Sequence, residues 1–119
     1  MDDREQCLRR LAPGDIFHGH GASGASLICL VVEVDGKALQ ARRITTQELL
    51  SFDRHTGAEI GGSGIIRSVE PLPDGMHDTL LGLDRRYARG GPNDEHLKLT
   101  EAERDVLLHV GDYYAAHPI

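Results

Sequence analysis

Two histidines one residue apart, His18 and His20, are the side chains in this 119-residue chain whose types and spacing point most directly to chemistry. On a strand, the period of two turns both imidazoles to one face. Such a pair can supply two ligands to zinc or another divalent ion, and a catalytic centre then needs a third ligand and an open position. Asp15, His55, Glu59 and His77 are possible third ligands, and nothing in their spacing selects one of them. With seven histidines in the chain, accidental pairs are expected, so the divalent metal stands as an alternative to a chain with no cofactor.

The segment Gly19-His-Gly21-Ala-Ser-Gly24 matches G-x-G-x-x-G in letters. The dinucleotide form of that motif needs a strand before it and a helix after it, so that the helix N-terminus meets a pyrophosphate. Here the following segment runs into Val31-Val-Glu-Val-Asp-Gly36, a strand and a turn. The kinase form needs a later lysine and His-Arg-Asp and Asp-Phe-Gly loops, none of which is present. Gly19, Gly21 and Gly24 therefore read as a loop at a barrel rim, with an anion-holding backbone nest as the alternative. Ser23 and Ser26 lie in the same stretch without forming the G-x-S-x-G elbow of serine hydrolases. Cys29 lies in an apolar run, where a thiol behaves as a small buried hydrophobe.

Arg42, Arg43, Arg54 and His55 are the binding candidates. Adjacent arginines on a strand point to opposite faces, so either Arg42 or Arg43 must approach the core or a cleft. A two-residue Asp35-Gly36 hairpin turn would pair Val32 with Leu39, Leu30 with Ala41 and Ile28 with Arg43. That register puts Arg43 on the more apolar face, paired with Glu48 or Asp53 or lining a binding cleft.

The elements that must position these residues follow from pattern. Asp2 to Leu11 suits a short helix that Pro13-Gly14 ends. Asp15 to His18, Leu27 to Val34, Lys37 to Thr45, Leu49 to Asp53, Ala58 to Ile60 and Gly64 to Val69 read as short strands separated by turn residues. Met76, Leu80, Leu83 and Tyr87 recur at helical spacing. Residues 90–96 read as a polar linker. Thr100-Glu-Ala-Glu103 is a capping box that opens a second helix with Ala102, Val106, Val110 and Tyr113 on one face. The fold class is α+β: a small antiparallel SH3-like barrel or bent sheet over about 15–70, followed by helices over about 75–89 and 101–116. All of it fits one domain over 1–119, made of an N-terminal segment 1–14, the barrel-like region 15–70 and a helical region 74–119.

Composition narrows the function. The net charge of -6 sums to -1 over residues 1–32, zero over 33–69 and -5 over 70–119. A nucleic-acid binder needs a basic footprint, so nucleic acid is not expected as a partner. Phe17 and Phe52 are the only aromatics in the sheet region, too few for a base-stacking platform. Cys7 and Cys29, with no apolar signal core near the N-terminus, suggest free thiols in the cytoplasm, and no apolar run is long enough for a membrane helix.

The Pro13-Gly14-Asp15-Ile16 tetrapeptide resembles the opening of small-barrel ribonuclease toxins, which implies an RNA-binding or RNA-cleaving barrel. The strand those toxins carry next is missing here, and the chain is acidic where they are basic. The reading that remains first is a non-enzymatic binding or regulatory module that meets a protein partner, or itself, through the C-terminal helix. A small metal-dependent enzyme built on His18 and His20 is the alternative, and the RNA-directed barrel is the third.

Overall fold

The computed structural model describes residues 3–21, 24, 26–90 and 99–116. Most of the linker 90–96, with Ala22, Ser23 and Ala25 of the glycine loop, falls outside them. The elements run α1 (Asp3–Arg9), β1 (Ile16–His20), β2 (Ser26–Val34), β3 (Ala38–Arg43), β4 (Leu49–Asp53), β5 (Ile65–Ser68), α2 (Asp74–Gly90) and α3 (Glu101–Ala115). The strands form one antiparallel sheet in the order β4-β3-β2-β1-β5. Bridges from Phe52 to Glu59 and from Ala58 to Ile65 link its two edges, so residues 58–60 return as expected, though only as isolated bridges.

The sheet is strongly curled, and one contact measures how much. Phe17 on β1 and Phe52 on β4 are separated by two strands, which in a flat sheet would hold them about 14 Å apart. Their ring centroids are 5.2 Å apart, edge to face. The face they share is therefore the concave one. It also holds Leu27, Cys29, Val31, Leu39, Ala41 and Ile66, and Leu8 and Leu11, from and just after α1, pack against it. Ile16, Leu30 and Ile44 lie in a second cluster with Leu80 and Leu83 of α2 and Val110 and Tyr114 of α3. The result is a curled five-stranded half-barrel followed by two helices, the α+β architecture that the sequence pattern implies.

Two covered faces explain why β2 shows no clean alternation of apolar and polar residues. They also go with a different register from the one that Asp35-Gly36 suggests. Asp35 Oδ1 accepts from the Lys37 amide at 2.7 Å and the Ala38 amide at 2.8 Å. This wider turn pairs Val34 with Leu39, and a bulge between Val31 and Glu33 then pairs Val31 with Ala41 and Cys29 with Arg43. Relative to a two-residue turn, the turn moves the register by two and the bulge returns one. An odd offset exchanges faces, so Val31 and Cys29, not Val32 and Leu30, join Leu39 and Ala41 in the concave core.

Gly19 lies inside β1 between β2 and β5. A Cβ there would meet the Ile65 carbonyl oxygen at 2.6 Å, a backbone atom that cannot rotate away. Gly19→Ala should cost roughly 1–3 kcal/mol by forcing β1 and β5 apart. Urea denaturation would measure it, and an unchanged midpoint would refute the close approach.

The helices follow their signals. Leu80 and Leu83 are fully buried, with Met76 and Tyr87 packed beside them. The capping box at Thr100 is formed: Thr100 accepts from the Glu103 amide at 3.1 Å, and Glu103 Oε1 accepts from the Thr100 amide at 2.8 Å. Arg86 of α2 pairs with the same Glu103 carboxylate, which fastens the two helices together. Ala102, expected on the apolar face of α3, is exposed, and Glu103 is buried in its place.

Candidate functional site

β1 carries His18 and His20 on its convex face, and α3 crosses that face with its last turn. Between them opens a cleft of about 520 Å³ lined by His18, His20, Ser26, Arg67, Gly111, Tyr114 and Ala115. The H-x-H pair therefore shares one surface, as a strand requires. The two imidazoles are 5.2 Å apart between centroids and nearly perpendicular.

His18 is held on two sides. Its ring stacks on Tyr114 at 5.4 Å with a 10° interplanar angle. Its Nε2 lies 2.8 Å from Ser26 Oγ, across the β1–β2 ladder. Tyr114 is anchored in turn, its hydroxyl donating to the Ile16 carbonyl at 3.1 Å. Burial, with a smaller contribution from the neighbouring His20, holds the His18 pKa below the ordinary imidazole value. The same burial favours the neutral form of the ring, in which one nitrogen is an acceptor. Burial likewise raises the Tyr114 phenol above its usual range, so it stays protonated.

Arg67 enters the cleft from β5 and is exposed. Among the described residues no carboxylate pairs with it. Its signal in the sequence was a cation in an otherwise apolar strand, Ile65-Ile66-Arg67. Ser26, expected in the glycine loop, is instead the first residue of β2 and faces His20 in the ladder.

The other candidates lie elsewhere. Arg42 faces α2 and makes a two-point ion pair with Asp84, Nε to Oδ1 at 3.0 Å and Nη2 to Oδ2 at 2.6 Å. Arg43 points to the opposite, concave side, as adjacent strand residues must. Its guanidinium donates to the Ser26 carbonyl at 3.2 Å rather than to Glu48 or Asp53, and its buried Nε has no partner among the described residues. Arg54 donates to the carbonyls of Asp35 at 2.5 Å and Arg9 at 2.9 Å, tying α1 to the β2–β3 turn. His55 Nδ1 lies 2.6 Å from Glu5 Oε1 at the same corner. These four residues do not converge.

Of the anion-loop glycines, Gly19 is a strand residue, and the Gly24 amide donates to the Gly21 carbonyl at 3.1 Å instead of pointing outward. Burial pushes the Cys29 thiol up to about 12, which makes it an inert core group. No group of three His, Cys, Asp or Glu among the described residues could hold a metal ion. Asp15 accepts from the Ala12 amide and His55 is held by Glu5, so neither joins the histidine pair.

Comparison of the chain with protein-family models, with curated proteins and with solved structures gave no match. Among the described residues, no helix is long and apolar enough to cross a membrane.

Proposed function

We propose that the chain is a binding module whose cleft between β1, β5 and the end of α3 takes a small anionic ligand, a carboxylate or a phosphate. The observation that carries this reading is Arg67. An arginine with no carboxylate partner among the described residues stands on the same cleft wall as two imidazoles, and the stacked His18 and Tyr114 rings supply an apolar floor. Ligand sites are built in this way, from apolar lining with a few convergent polar groups. A guanidinium offers a planar fork of donors that matches both carboxylate and phosphate oxygens. The volume exceeds a bare phosphate and suits an anion carrying an organic group.

This assigns binding to the cleft rather than to the apolar stripe of α3. Val110 and Tyr114 are buried against the sheet and α2, and Val106, Leu107 and Tyr113 are packed beside them. Leu108 is left outward on that helix, 72% exposed, and a single exposed leucine is ordinary.

Inorganic phosphate and acetate, titrated while amide and imidazole NMR shifts are followed, test the reading. The expected result is saturable movement at His18, His20 and Arg67. Arg67→Gln should weaken the binding about tenfold, the loss of one charge-assisted hydrogen bond. Shifts that do not saturate, or affinity unchanged in Arg67→Gln, would refute it.

A further inference from the structure

The His18–Ser26 contact goes beyond holding a ligand. We propose that Ser26 is a nucleophile activated by His18, and that the cleft transfers the acyl group of a small carboxylic ester through an acyl-serine. The inference uses the same cleft as the binding reading but does not require its affinity for free anions.

A serine becomes a nucleophile when a base takes its proton as it attacks, and the base must be within hydrogen-bond reach and fixed in orientation. Nε2 of His18 and Oγ of Ser26 are 2.8 Å apart. Ser26 is exposed and lines the cleft, so a substrate carbon can approach its oxygen from the open side. His18 is 7% exposed and fixed by the ladder on one side and the Tyr114 ring on the other. Hydrolases of the familiar kind orient the imidazole with a carboxylate. Here a stacked aromatic plane, itself anchored to the β1 backbone, serves as the positioning group. Burial favours the neutral form of His18, the form that can accept a proton. Arg67 is the cation on the cleft wall that can face the oxyanion as charge develops.

The step balances without a cofactor. Ser26 Oγ attacks the carbonyl carbon as its proton passes to His18 Nε2. The carbon–oxygen bond to the leaving group breaks, and the imidazolium returns the proton to the departing oxygen. Water then attacks the acyl-serine with His18 again as base, freeing the acid and restoring both side chains. The net reaction is ester and water to acid and alcohol.

The full chain should be treated with a fluorophosphonate and, separately, with p-nitrophenyl acetate. The expected result is one phosphonyl adduct, mapped to Ser26 by peptide mass spectrometry, and nitrophenolate release that falls about a hundredfold in Ser26→Ala. Ser26 is the first residue of β2 and is exposed, so this variant should fold, and circular dichroism checks that it does. The labelling rate of the wild-type chain should rise with pH through a titration lying below the ordinary imidazole value. An adduct elsewhere, no adduct, nitrophenolate release unchanged in Ser26→Ala, or a labelling rate flat across the imidazole range would overturn the proposal. Phosphate binding separates the two readings: Ser26→Ala should abolish the adduct and retain phosphate binding, while Arg67→Gln should weaken phosphate binding about tenfold and slow labelling without moving the adduct from Ser26.

Discussion

Replacing Tyr114 with alanine is expected to cost about 3–5 kcal/mol of folding free energy and to abolish the cleft. Tyr114 is 1% exposed and is among the largest fully buried side chains of the described residues. It lies where α3 meets the sheet, so its removal opens a cavity between two elements that few other side chains join. The hydroxyl adds a second loss. Without it the Ile16 carbonyl gives up its 3.1 Å partner, and a buried acceptor left unpaired costs about 1–3 kcal/mol. Tyr114→Phe isolates that part: it should lose about 1–2 kcal/mol while keeping the stack on His18 and the reactivity of Ser26. Tyr114→Ala should release the His18 ring, and in any fraction that stays folded, Ser26 labelling should fall with it. Denaturation midpoints and labelling rates measured on the same two variants distinguish a ring that only fills space from one that also positions the base. Equal labelling in folded Tyr114→Ala would remove Tyr114 from the site.

The same residue shows how the sequence and the structure relate. The apolar stripe of its helix was legible in Val106, Val110 and Tyr113, and the capping box at Thr100 placed the start of that helix. What the stripe would cover was not legible. The C-terminal helix reads as the surface for a partner, and at its end Tyr114 is buried against the chain's own β1 while Tyr113 donates to the Pro71 carbonyl at 2.8 Å. The sheet was legible for a local reason: β-branched runs separated by Asp-Gly, Thr-Gly and Gly-Gly can hardly form anything else. Its register was not, because the Asp35 carboxylate competes for the turn amides and the bulge after Val31 leaves no mark in residue types. The cleft suffered most from this. His18 and His20 announce themselves by spacing, but Arg67 and Tyr114 arrive from elements 47 and 94 residues further along. Only the order β2-β1-β5, with α3 laid across it, brings them together. Arg42, Arg43, Arg54 and His55 looked dense in sequence for another reason. Arg42 fastens β3 to α2, Arg54 and His55 fasten the end of β4 to α1, and Arg43 ties β3 to β2, and such fasteners are as polar as a binding site.

Asp84→Ala should be the most damaging substitution among those fasteners. Asp84 is 4% exposed on α2 and accepts three hydrogen bonds, two from Arg42 and one from Gln47 Nε2 at 2.9 Å. Gln47 reaches it from a backbone φ of 62°, a left-handed conformation that costs a non-glycine residue roughly 1 kcal/mol or more. Burial alone would raise the Asp84 carboxyl. The hydrogen bonds from Arg42 and Gln47, and the Arg42 charge, outweigh burial and hold it below the ordinary carboxylate value. Removing the carboxylate leaves the Arg42 guanidinium unpaired under α2. Breaking a buried pair costs about 3–5 kcal/mol, and because the Arg42 side chain keeps 31% of its exposure, the expected loss is nearer 2–3 kcal/mol. For a chain of this size that is a fall in Tm of roughly 10 °C. Arg42→Met with Asp84→Leu should recover most of it, since an apolar pair of similar volume avoids desolvating two charges. Acid gives an independent check. A carboxyl whose folded pKa is depressed stabilises the fold fully above its unfolded value of about 3.8, and the stabilisation disappears as pH falls through the folded value. The wild-type chain should therefore lose stability over that acid range by more than the Met–Leu double variant does. If the two acid limbs run parallel, the ion pair contributes nothing, and the attachment of α2 to the sheet rests on the apolar cluster around Leu80 and Leu83.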